Sequence, residues 1–162
     1  MWLCHKTLIT NLIIVTFVTM IQTVANQQLS KFIAYCREQG IANIQFIRTC
    51  VGEYCHQTGT ITLNARRHPE SQLYILLHEY GHYCITRDKT LSKKFAALFD
   101  REPKSTLSEQ MLSLEEEVLA WHLGEQAAAN TGICIDQKKF QVLKARCLRS
   151  YIASYKKLAR PA

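Results

Sequence analysis

His78 and His82 stand four residues apart, with Glu79 beside the first, in the stretch Tyr74-Ile75-Leu76-Leu77-His78-Glu79-Tyr80-Gly81-His82. On an α-helix this spacing puts both imidazoles on one face, one turn apart, where they reach a single cation. Glu79 then projects to the side of that cation and can hold a water molecule. The apolar run ahead of the motif sends the helix into a core rather than along a surface. Buried imidazoles beside a carboxylate need compensation, because unpaired buried charge is costly, and metal coordination supplies it. Gly81 adds a packing clue. Glycine inside a helix costs about 1 kcal/mol relative to alanine, so its use here predicts a second backbone approaching closely on that side.

Two histidines require a third protein ligand and an open position for water. The best source is Leu114-Glu115-Glu116-Glu117-Val118-Leu119-Ala120-Trp121, about 35 residues downstream. Helical periodicity places Glu117 on one stripe with Gly124 and Ala128, flanked by Ala120 and Trp121. Small residues on that stripe would let this helix pack tightly against the His78 helix, at Gly81. Glu116 points to the edge of the same arc. Glu115 falls nearer the face of His122 and Gln126. The expected metal ligands are therefore His78, His82 and Glu117, with Glu116 in reserve.

LLHEYGHY followed by EEEVLAW resembles the gluzincin group of metallopeptidases, which combine HExxH with a glutamate from a later helix. Within that group the short spacing and the Glu117-x-x-Ala120 pattern are most similar to the ImmA/IrrE-like peptidases, over roughly residues 59–128. The resemblance implies a minimal zincin-like domain in which His78, His82 and Glu117 bind one zinc ion and Glu79 is the catalytic base. The expected reaction is peptide-bond hydrolysis: zinc lowers the pKa of a water molecule, and Glu79 takes its proton and passes it to the leaving amine. A second electrophile often assists. Tyr83, His68, His122 and Tyr151 are candidates, and sequence does not choose among them. Two features depart from the family: it is mostly intracellular whereas this chain looks exported, and Gln126-Ala127-Ala128-Ala129-Asn130 replaces the usual apolar continuation. Two other functions use the same residues. One is a zinc amidase acting on cell-wall peptide; the other is a non-enzymatic secreted module in which zinc and disulfides serve structure alone, for which Glu79 would not be required.

The elements that carry these residues follow from periodicity and punctuation. Leu29, Phe32, Ile33 and Cys36 recur at helical spacing between Gln27 and Gln39, and Gly40 ends that helix. Ile44–Ile47 and Thr60–Leu63 are short β-prone runs, with turns at Gly52 and Gly59. Pro69 opens a helix from Ser71 to about Ile85. Further helices are expected over Leu91–Phe99, closed by Arg101-Glu102-Pro103; from a cap at Ser105 or Ser108 to Asn130; and from Asp136 to Leu158. This order predicts an α+β domain, a small antiparallel sheet with helices packed on it.

Residues 1–25 differ from the rest. His5 and Lys6 precede an apolar run of about 14 residues, Leu8 to Ile21, and Thr23-Val24-Ala25 offers small residues for cleavage. That is the pattern of a secretory signal peptide; the run is short against the ~20 residues of a membrane span. The chain thus divides into a signal segment 1–25 and a single domain 26–162, secreted or periplasmic after cleavage. If the segment is not cleaved, residues 7–25 would associate with a membrane and anchor the domain outside the cytoplasm, the setting of a tethered interaction protein. Of seven cysteines, six follow the signal: Cys36, Cys50, Cys55, Cys84, Cys134 and Cys147. In an exported domain an even count reads as three disulfides. The formal charge of +7 favours anionic surfaces in a loose way. No zinc-finger spacing, ribonucleoprotein sequence or basic region with heptads is present, so no specific nucleic-acid partner is expected. The expected partner is a peptide or protein substrate.

Overall fold

A computed structural model describes the backbone of residues 3–49, 51–99 and 106–158. Cys50, Ser105 and the Arg101-Glu102-Pro103 stop lie outside the described residues. Five helices and three strands follow in the order α1 (Leu3–Glu38), β1 (Asn43–Ile47), β2 (Glu53–Cys55), β3 (Thr60–Asn64), α2 (Pro69–Arg87), α3 (Lys89–Phe99), α4 (Leu107–Asn130) and α5 (Gln137–Leu158). The class is α+β, as the residue pattern predicts.

Helix boundaries have local causes. At the end of α1 the chain turns at Gly40, whose φ of 101° only glycine adopts without strain, and the Ile41 amide donates to the Cys36 carbonyl. Pro69 occupies the first turn of α2, and the His68 ring accepts from the Glu70 amide at 3.3 Å. Asp88 closes α2 and opens α3, its carboxylate accepting from the Thr90 and Leu91 amides. Thr106, rather than either serine, caps α4 in a reciprocal exchange with Glu109. α1 runs unbroken through Ala25–Asn26, and among the described residues no helix is long and apolar enough to cross a membrane.

The sheet corrects one expectation. Its order is β1-β3-β2, with β3 antiparallel to β2 but parallel to β1, so it is mixed rather than wholly antiparallel. The segment between β1 and β2 carries the chain across to the far side of β3. The turn containing Gly59 (φ 64°) then brings β3 back between its two neighbours. Ile61 and Leu63 on β3 join a core of Phe32 from α1, Leu76 and Leu77 from α2, Trp121 from α4 and Phe140 from α5.

Among the described residues no disulfide is formed: Cys36, Cys55, Cys84, Cys134 and Cys147 are free thiols. They come from α1, β2, α2, the α4–α5 connection and α5, and Cys36 and Cys84 lie near enough to interact electrostatically. Burial pushes the Cys36 thiol up to about 12, which suits an inert core group.

Candidate metal centre

α2 and α4 meet with their backbones nearly touching. A Cβ added to Gly81 would lie 1.9 Å from the Ala120 carbonyl oxygen, and one added to Gly124 would lie 2.2 Å from that of Leu77. Each helix thus seats a carbonyl in the gap left by the other's glycine. The close approach inferred from Gly81 is present, and the small-residue stripe of α4 supplies it.

This contact brings the α2 histidines against the α4 glutamates. His78 Nε2 and His82 Nε2 are 3.1 Å apart; Glu117 Oε2 is 3.3 Å from His78 Nε2, and Glu117 Oε1 is 3.6 Å from His82 Nε2. Metal–ligand bonds of about 2.0–2.1 Å in a tetrahedral arrangement put neighbouring donor atoms roughly 3.3–3.4 Å apart. The three donor groups converge on that scale.

No family model, curated protein or solved structure matches the chain.

The chemistry of the site is therefore read from its own residues. Glu116 takes the other edge of His82, at 2.7 Å from Nδ1. An ionised carboxylate only accepts, so that ring nitrogen carries the proton and donates it, leaving Nε2 turned inward. His78 is fixed by its plane: it stacks on Trp121 at 4.3 Å between centroids and 19° between planes, and Trp121 is braced edge-on by Phe140. Tyr151 from α5 donates to Glu117 Oε1 at 2.6 Å. The buried Glu117 Oε2 has no hydrogen-bond partner among the described protein groups. A buried carboxylate oxygen left without a donor and facing an imidazole suits a cation.

Charge at the site is concentrated. Burial alone would depress the His82 imidazole, but Glu116, Glu79 and Glu117 outweigh it and push it up to about 9. Burial would raise the Glu117 carboxyl, and the His78 and His82 rings with Tyr151 more than offset that, holding it below the usual carboxylate range. Glu79 goes the other way. It is buried, burial pushes it upward, and the flanking imidazoles and the Tyr54 amide, which donates to it, only partly compensate. Burial and the Glu117 charge together push the Tyr151 hydroxyl up as well.

The site opens into a cavity of about 400 Å³, walled on one side by Gly52, Glu53 and Tyr54 of β2 and its approach, on the other by Cys147, Ser150 and Tyr151 of α5. Gly52 is needed there because a Cβ would lie 2.0 Å from Ile75 Cγ2. Of the four candidate assisting residues, only Tyr151 reaches this cavity. Tyr83 donates to the Gln39 carbonyl, His68 caps α2, and His122 pairs with Gln126 on the exposed side of α4. Glu115 likewise faces away, paired with Lys94. Sequence reasoning did not anticipate the bracing of His78 by Trp121 or the Tyr54 amide on Glu79. The aromatic at Trp121 was the one available signal, since it shares the arc of Glu117.

Proposed function

We propose that the chain is a zinc-dependent peptidase, with His78, His82 and Glu117 holding one Zn²⁺ and Glu79 acting as general base. The observation that carries this reading is the convergence of the two Nε2 atoms and the Glu117 carboxylate at 3.1–3.6 Å, with Glu79 buried alongside. Nitrogen and carboxylate donors of this kind suit zinc better than magnesium or calcium, which prefer all-oxygen sets. When bound, the metal would supply Lewis acidity and a water of lowered pKa.

The remaining work falls to the chain's own groups. Glu116 keeps the His82 proton on Nδ1, so that Nε2 is available as a donor. Trp121 holds the plane of His78. Glu79, raised by its enclosure, is a better proton acceptor than an exposed carboxylate, and its position beside the two histidines lets it move a proton between water and a departing amine. Tyr151 has its hydroxyl at the edge of the donor set, where its one proton, given to Glu117 in the free protein, could turn to a substrate oxygen instead.

The test pairs elemental analysis with peptide hydrolysis for wild type, His82→Ala and Glu79→Gln. About one zinc per chain in wild type and its loss in His82→Ala are expected. Glu79→Gln should keep fold and zinc while hydrolysis falls by about 10²–10⁴-fold. A folded wild type that takes up no zinc would sink the proposal, and loss of zinc in Glu79→Gln would give Glu79 a structural role instead.

A further inference from the structure

The cleft does not end at the histidines. Beyond Gly52, Cys147 and Ser150, which line both spaces, it continues into a hollow of about 150 Å³. Val51, Ile75 and Leu143 give this hollow apolar walls, and Arg67 and Arg146 stand at it. The two arginines come from distant parts of the chain, the β3–α2 connection and α5, and both are exposed. Both line this hollow together with Cys147, on whose thiol both also act electrostatically. Among the described residues neither guanidinium is paired with a carboxylate. Glu70, which borders a neighbouring hollow with Arg146, is engaged by Lys139 at 2.8 Å and Tyr74 at 3.1 Å.

We propose that this hollow is a carboxylate-binding subsite of the cleft, in which Arg67 and Arg146 hold an acidic group of a bound peptide. The inference rests on the peptidase reading and names its substrate class. Guanidinium forks match carboxylates in two-point geometry, and these two, with no carboxylate partner among the described residues, are open to one from a ligand. The apolar walls suit the aliphatic stem leading to such a group. The carboxylate comes either from a glutamate or aspartate side chain or from the peptide's C-terminus. The hollow is on the scale of one side chain, and its continuity with the Glu79 cavity keeps the recognised residue close to the bond that is cut.

A fluorescent peptide series on one backbone tests this, with glutamate, glutamine or lysine scanned through each position and the C-terminus free or amidated. Hydrolysis by zinc-loaded protein and binding to metal-free protein, read by anisotropy, are measured for wild type, Arg67→Ala, Arg146→Ala and the double variant. The expected result is a preference of about tenfold for the acidic peptide, weakened by salt and lost in the double variant. A preference for glutamate over glutamine at one position assigns the side chain, and one for free acid over amide assigns the C-terminus. Hydrolysis that ignores both changes overturns the subsite and leaves the peptidase reading standing. If no peptide is cut, the peptidase reading fails, and the anisotropy decides the subsite: acid-selective binding lost in the double variant supports it, while absent or charge-blind binding overturns it.

Discussion

On α4 the side chains of Glu116 and Glu117 diverge by one helical step, and each meets a different edge of the His82 ring. Glu117 faces Nε2 and His78, the inward side, whereas Glu116 bonds Nδ1, the outward side. Removing an outer partner of this kind typically costs about 10–100-fold in metal affinity. Glu116→Ala is therefore expected to weaken zinc binding by that amount and Glu117→Ala by more, measured by competition with a chromophoric chelator. The reverse order would transfer the ligand role to Glu116. Sequence periodicity was enough to prefer Glu117, because the stripe through Gly124 and Ala128 marks the buried face. It could not give Glu116 its place, since that depends on which ring nitrogen faces inward and so on the offset between two helices. Tyr151 was indistinguishable from Tyr83 for the same reason: its approach to Glu117 is made by the packing of α5.

At the level of elements, the pairing of α2 with α4 sets the site. Alanine at position 81 would raise intrinsic helix propensity by about 1 kcal/mol, but its methyl would overlap the Ala120 main chain. Main chain does not swing aside as a side-chain tip does. Gly81→Ala is expected to lose roughly 2–3 kcal/mol net, a fall in Tm on the order of 5–10 °C, with weakened zinc uptake. An unchanged Tm would mean that the helices stand farther apart than described. The helices themselves were legible, α5 to within a residue and α2 from its proline, because capping residues and apolar spacing are local. The sheet was less so. β2 is three residues long, too short to show alternation, yet it supplies the Tyr54 amide to Glu79. The parallel pairing of β1 with β3 depends on a crossing that no local pattern records.

For the molecule as a whole, the metal-free protein should carry a pH signature. The folded pKa of His82, about 9, lies above its ordinary 6.5. The folded state binds that proton more tightly than the unfolded chain, so the stabilisation is complete below pH 6.5 and is lost as pH rises through 9. Cys36, Cys84 and Cys147 are all raised from an ordinary value of 9.0, so their losses begin only above that pH. Thermal melts of chelator-treated protein should show Tm falling between pH 6.5 and 9. A flat profile there would refute the carboxylate cage around His82.

The two glycines at the α2–α4 crossing also bear on how this chain can change over generations. Each makes room for the other helix's main chain, so a methyl at either position forces the same displacement. Once one substitution has parted the helices, the second has less left to disturb. Gly81 and Gly124 should accordingly be epistatic, the double alanine variant costing clearly less than the sum of the two single ones. Strict additivity would show the two contacts to be independent. If they are coupled, lineages can keep both glycines or abandon both, and intermediates carrying one would be the rare state.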